Sequence, residues 1–164
     1  MSQLTAIYPG SFDPITQGHL DLIRRGRLLF SHLVVAVLTN YEKSPLFSIE
    51  ERVGMVTEAT RDLPNVTVDT FSGLLVDYAR RKDARAILRG VRAFSDYEYE
   101  LQMALMNRKL APEVETVFLM PAESLAYVSS RLVKEIAACR GSLKGLVPEM
   151  VEDRLRLKLS EQAL

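Results

Sequence analysis

Residues 32–39 read HLVVAVLT, an apolar run rich in β-branched residues that never alternates with polar ones. A strand with one wet face alternates, so a run without alternation needs apolar cover on both faces. Such a strand belongs inside a parallel sheet, and parallel neighbours are joined by crossovers that are usually helical. The rest of the chain supplies those pieces. Strand-like segments fall at 4–8, about 65–69, 86–88 and 115–120, and helical patterns at about 17–30, 48–62, 74–82, 95–110, 129–139 and 148–161. Ser48 with Glu51, and Ser95 with Glu98, each have the spacing of a capping box. Phe94, Tyr97 and Leu101 recur at helical spacing and read as core. This alternation predicts an α/β fold: a Rossmann-like parallel sheet with helices on both faces.

With 164 residues and no linker, repeat or shift in composition, one domain spanning 1–164 is expected, ending in the helix at about 148–161. Formal net charge is zero, so no overall basic field favours nucleic acid or an anionic membrane. The longest apolar stretch, LLFSHLVVAVL, is too short to span a membrane, and the N-terminus lacks the pattern of a leader, so a cytoplasmic protein is expected. The single cysteine, Cys139, excludes an intramolecular disulfide framework. No HExxH or clustered carboxylates suggest a fixed metal site.

In open parallel sheets ligands bind beyond the carboxyl ends of the strands. After the first strand comes YPGSFDPITQGH, residues 8–19. Thr16 is a good N-cap, which puts Gln17, Gly18 and His19 in the first helical turn. A helix start offers backbone N–H groups and partial positive charge, an anion site in waiting. Gly10 is free to take positive φ in the preceding turn, and Gly18 lets a ligand approach the backbone. The dipole disfavours a charged His19 and leaves a neutral ring that donates one hydrogen bond. A plain strand-to-helix turn with an incidental histidine would look the same.

The remaining strand ends add cations and hydroxyls. Lys43 sits on the loop after the second strand, either as a point charge for a phosphate or as a solvated lysine. Arg89 and Arg92 flank Gly90, suited to a polyphosphate or to surface ion pairs. Glu100 either accepts from a ligand or orients an arginine. Ser129 and Ser130 open a helix, as a phosphate cradle or as simple caps. His32 is isolated and receives no role.

Together these residues resemble the TxGH nucleotidyltransferases through Thr16-Gln17-Gly18-His19. With FSIEERV, ILRGVRAFSDYEYELQMALMNRKL, VFLMP and SSRLVKE, the chain resembles the bacterial phosphopantetheine adenylyltransferases from Ala6 to about Pro148. That resemblance implies transfer of the adenylyl group of ATP to 4′-phosphopantetheine, giving dephospho-coenzyme A and pyrophosphate. It implies Mg²⁺ held mainly by the ATP phosphates, and a homo-hexamer. It places Ser11, Phe12, His19, Gly90, Val91, Arg92, Glu100 and Leu125, Ala126, Tyr127, Val128, Ser129, Ser130 and Arg131 against ATP. Ser11, Lys43, Leu75 and Arg89 would contact phosphopantetheine, and His19 and Lys43 would stabilise the transition state. Coenzyme A, which carries parts of both substrates, is expected to bind back as a feedback inhibitor. The rivals are a relative using CTP or nicotinate mononucleotide and a nucleotide-binding module without catalysis.

Overall fold

The structure, a computed structural model, describes residues 4–39 and 44–162. Five strands form one sheet: β1 (Thr5–Gly10), β2 (His32–Leu38), β3 (Val66–Phe71), β4 (Ala86–Gly90) and β5 (Glu115–Leu119). Every pairing is parallel and the order is β3-β2-β1-β4-β5, so the run at 32–38 lies beside the central strand as its composition requires. The helices are α1 (Gln17–Gly26), α2 (Ile49–Thr60), α3 (Leu75–Arg81), α4 (Phe94–Leu110), α5 (Ser130–Ala138) and α6 (Glu149–Gln162), with a 3₁₀ turn at Glu123–Leu125.

Side chains on alternate strand positions feed two cores. Ala6, Tyr8, Leu33, Val35, Val37 and Leu88 meet α1, α2, α5 and α6 on one face. Ile7, Val34, Ala36 and Ile87 meet α3 and the segment around Ala111 and Val114 on the other. Ion pairs Arg154–Glu58 and Lys158–Glu51, both 2.8 Å, tie α6 to α2.

Several elements differ from expectation for identifiable reasons. β1 continues through Pro9 and Gly10, which pair with Ala36 and Val37. The β1–β4 ladder covers only Ala6 and Ile7, so the N–H that Pro9 lacks is not needed there. Helix α1 stops at Gly26, and Leu28 and Leu29 are 73% and 58% exposed rather than part of an apolar stripe. Ser95 is not the N-cap: it lies one residue inside the helix. Helix α4 starts at Phe94 with Ala93 as an N-cap that makes no side-chain bond, because the amides of Asp96 and Tyr97 turn onto the Ala93 carbonyl. Tyr97 and Leu101 face out rather than into a core. The box at Ser48 forms as expected.

Two helical glycines separate close packing from mere tolerance. A Cβ on Gly26 would stand 2.6 Å from Cδ2 of the fully buried Leu88, whereas on Gly54 it would meet only the Arg154 guanidinium at 3.7 Å. Gly26→Ala is expected to destabilise the protein by about 1–3 kcal/mol through overpacking. Gly54→Ala is expected to stabilise it by roughly 0.5–1 kcal/mol through helix propensity. Urea denaturation of both variants checks the opposite signs.

Candidate active site

A cavity of about 520 Å³ opens beyond the carboxyl ends of β1 and β4. It is walled by the start of α1, the β4 end, α4 and the start of α5, with His19, Arg89, Gly90, Arg92, Ser129, Ser130 and Arg131 on its lining. Thr16 is the N-cap of α1 and His19 its third residue, and the two make a reciprocal cap. The Thr16 amide donates to His19 Nδ1 at 3.0 Å, and the His19 amide donates to Thr16 Oγ1 at 3.3 Å. An Nδ1 that accepts is unprotonated, so the ring proton sits on Nε2. Desolvation, with Arg92 and Arg89 adding repulsion, lowers the His19 pKa to about 4. The imidazole is therefore a neutral Nε2–H donor at physiological pH.

The helix start is less open than its sequence suggests. The Gln17 amide donates to the Leu146 carbonyl at 2.8 Å and the His19 amide is capped, which leaves the Gly18 amide uncommitted among the described residues. Gly10 does not use positive φ; Phe12 does, at 48°. Gly10 is required instead because a Cβ there would lie 2.9 Å from the Phe12 ring. That ring, 5.1 Å from the His19 ring, is 2% exposed and packs beside the imidazole, and Phe12 is on the cavity lining.

Arg89 and Arg92 behave differently. Arg89 donates through Nε at 2.7 Å and Nη2 at 2.5 Å to the buried Glu100 carboxylate, and through Nη1 to the Pro9 carbonyl. Burial opposes its charge, but the Glu100 bonds outweigh this and hold its pKa above the ordinary value. Glu100 thus orients an arginine. Arg92 donates to Asp96 at 3.2 Å and to the Val128 carbonyl at 3.2 Å. Gly90 is glycine for a steric reason: a Cβ would stand 2.5 Å from Leu22 Cδ1.

At α5, Ser129 caps the Leu132 amide and the Ser130 hydroxyl donates to the Pro14 carbonyl. Arg131 is exposed and pairs with Glu135. The Leu125 and Val128 carbonyls approach the Gly18 Cβ position at 3.6 and 3.7 Å, while Ala126 and Tyr127 continue this turn outside the cavity lining. Val91 follows β4 half-buried, its amide bonded to Leu119. Of the expected acceptor contacts, Arg89 lines the cavity. Ser11 lines an adjoining cavity of about 230 Å³, and Leu75 packs against the second core rather than into either space. Lys43 lies outside the described residues.

Three residues at the adjoining cavity escaped the sequence reading. Asp13 accepts the amides of Leu46 and Phe47 and pairs with Lys134 at 2.7 Å. Arg52 is 4% exposed and donates to the carbonyls of Ser11, Leu38 and Phe47. It fastens the ends of β1 and β2 to the start of α2. The only sequence signal was an arginine one turn into a capped helix.

Comparison with known proteins agrees with this geometry. The cytidylyltransferase-like family model matches residues 7–136. A phosphopantetheine adenylyltransferase of Desulfatibacillum aliphaticivorans is 55% identical over 160 residues, 98% of this chain and 91% of the relative. One from Caldanaerobacter subterraneus subsp. tengcongensis is 56% identical over 156 residues, 95% and 98% of the two chains. Among solved structures, a Vibrio parahaemolyticus protein assigned as a nicotinate-nucleotide adenylyltransferase aligns with a TM-score of 0.71 over 93% of this chain and 98% of that one, at 14% identity that speaks for the fold alone. Parallel sheet, TxGH helix start and full-length identity converge: the chain belongs to the phosphopantetheine adenylyltransferase family of the cytidylyltransferase-like nucleotidyltransferases.

Proposed function

We propose that the chain transfers the adenylyl group of ATP to 4′-phosphopantetheine, giving dephospho-coenzyme A and pyrophosphate. The observation that carries this reading is the neutral Nε2–H donor of His19, held beside Arg89 and Arg92 in one cavity. Relatives more than half identical over nearly the whole chain support the choice of substrates. A CTP or nicotinate mononucleotide relative is not favoured, since these highly identical relatives are phosphopantetheine adenylyltransferases.

An oxygen of the acceptor phosphate attacks the α-phosphorus of ATP. The bond from that phosphorus to the oxygen bridging to the β-phosphate breaks, and pyrophosphate leaves with the electron pair. The attacking oxygen is already anionic, so the step needs no general base. Catalysis then rests on positioning and on donors aimed at developing charge. His19 Nε2–H and the Gly18 amide serve the α-phosphate, Arg92 and the α5 start serve the leaving pyrophosphate, and Arg89 and Lys43 serve the acceptor phosphate. Mg²⁺ would arrive on the ATP phosphates and neutralise charge there. The donor set fits this, since Asp13, Asp96 and Glu100 are each engaged by a cation of the chain. Coenzyme A, sharing the adenosine and pantetheine parts, occupies the same cavity as a competitive inhibitor.

The assembly is a homo-hexamer in this reading. Leu105, Met106 and Leu110 on α4 are exposed apolar residues that a monomer would leave in water. The compartment is the cytoplasm; no helix among the described residues is long and apolar enough to cross a membrane.

Three outcomes are expected. First, His19→Ala lowers kcat on the order of 10²–10³-fold, with a much smaller change in ATP affinity, because the lost donor serves the transition state. Pyrophosphate release and ATP titration read the two quantities. Near-normal turnover would remove His19 from the chemistry. Second, the unfolded chain protonates His19 near its ordinary value of 6.5 while the folded chain resists to about 4. Between those values the unfolded state binds more protons, so stability falls as pH falls. Urea midpoints at pH 7 and pH 4.5 should therefore drop further in the wild type than in His19→Gln. Third, Leu105→Glu with Met106→Glu should break the hexamer into smaller species by light scattering; an unchanged mass would put the interface elsewhere.

A further inference from the structure

Tyr8 lies in β1 just before its Pro9-Gly10 end, and its side chain belongs to the α1 face of the sheet. It is 4% exposed and lines the main cavity. Its ring meets Phe12 edge-on at 5.5 Å, and Phe12 in turn meets His19. Its hydroxyl lies 4.0 Å from the position a Cβ would take on Gly90, between the two arginines that flank that glycine.

That hydroxyl makes no hydrogen bond to a described residue. Arg27 Nε is the one wholly inaccessible side-chain polar atom without a partner among the described residues, so the Tyr8 oxygen must open into the cavity. Opening into that space, the hydroxyl is free to donate to a ligand that enters it. Burial is the main influence on the phenol and raises its pKa, against the pull of Arg89 and Arg92, so it stays an O–H donor at any working pH. Glu100 and Asp96 on the same lining are already taken by Arg89 and Arg92, which leaves donors for a ligand: the two arginines, His19 Nε2–H and the Gly18 amide. A ring of donors suits a group that only accepts, such as a phosphate oxygen, better than a ribose hydroxyl, which also needs an acceptor.

We propose that Tyr8 is a further nucleotide-binding residue, whose hydroxyl donates to a phosphate oxygen of ATP from the α1 side of the cavity. This deepens the adenylyl-transfer reading and rests on it. It assigns Tyr8 to the nucleotide because its side chain lies with Leu22 on the α1 face of the sheet and its hydroxyl faces Gly90.

Tyr8→Phe keeps the ring and removes only the oxygen. In the ligand-free protein that oxygen bonds no described residue, so the melting temperature should change little. ATP, titrated calorimetrically without acceptor, should lose about tenfold in affinity, the scale of one hydrogen bond to a charged group. Adenosine and 4′-phosphopantetheine should bind the variant as they bind the wild type. The proposal is overturned if ATP affinity stays within about twofold of wild type, or if adenosine or phosphopantetheine weakens as much as ATP. It is equally overturned if the variant melts more than about 4 °C lower, since the hydroxyl would then be holding the fold. Pyrophosphate release by wild-type protein from ATP and phosphopantetheine tests the adenylyl-transfer reading separately, because the ATP titration needs no turnover.

Discussion

The reciprocal bond between Thr16 and His19 carries more of this structure than any other single contact. It ends the loop after β1, starts α1, and fixes the orientation and tautomer of the imidazole in one arrangement. A capping box usually has Glu or Gln at the third position, whose side chain accepts from the N-cap amide. Here the imidazole does that work with one nitrogen and keeps the other for the cavity. Asparagine at position 19 could also accept through its oxygen, but its short side chain would not reach from the cap into the cavity. The question of why a histidine stands at the positive end of a helix thus has a local answer. Neutral Nδ1 is an acceptor, and acceptors belong at helix starts.

Keeping the ring neutral requires positive surroundings and exclusion of water, and the strand order supplies both. β1 and β4 are adjacent, so the end of β4 delivers Arg89 and Arg92 beside the α1 start, and Phe12 seals the ring from behind. The same two arginines that lower the imidazole pKa would attract the phosphates on which it acts. The arginines thus add to what burial does to the protonation state, and they also preorganise the site for an anion.

How much of this was legible in sequence depends on the range of the interaction. The run at 32–38 and the caps at Thr16 and Ser48 are local signals, and they were read correctly because periodicity and capping act within a few residues. The reading of Ser95 as an N-cap failed because Ala93 and the paired Arg92 and Asp96 set the helix start instead. Tyr97 and Leu101 read as core from their helical spacing, yet nothing in that spacing says whether a neighbour exists to cover them. Arg52 and Tyr8 were invisible for a deeper reason. The carbonyls that bind Arg52 come from residues as far away as Ser11, and Tyr8 meets Gly90 only because β1 and β4, about 80 residues apart in sequence, lie side by side.

Cations at the two cavities have carboxylate partners before any ligand enters. Arg89 pairs with Glu100, Arg92 with Asp96, and in the adjoining space Lys134 pairs with Asp13. A cluster of bare guanidiniums would repel itself and destabilise the strand ends; carboxylate partners relieve this and hold each fork in a set orientation. They do so without using up the donors. Glu100 takes Arg89 through Nε and one N–H of Nη2, and Pro9 takes one N–H of Nη1, so both terminal nitrogens keep a donor for an incoming anion. Lysine could not divide itself this way, because a compact ammonium bonded to a carboxylate lacks the planar spread to face a second anion in fixed geometry. Residue choice at 89 therefore follows from having to serve a buried carboxylate and a phosphate at once, and Arg89→Lys would keep the charge while losing one of the two partners.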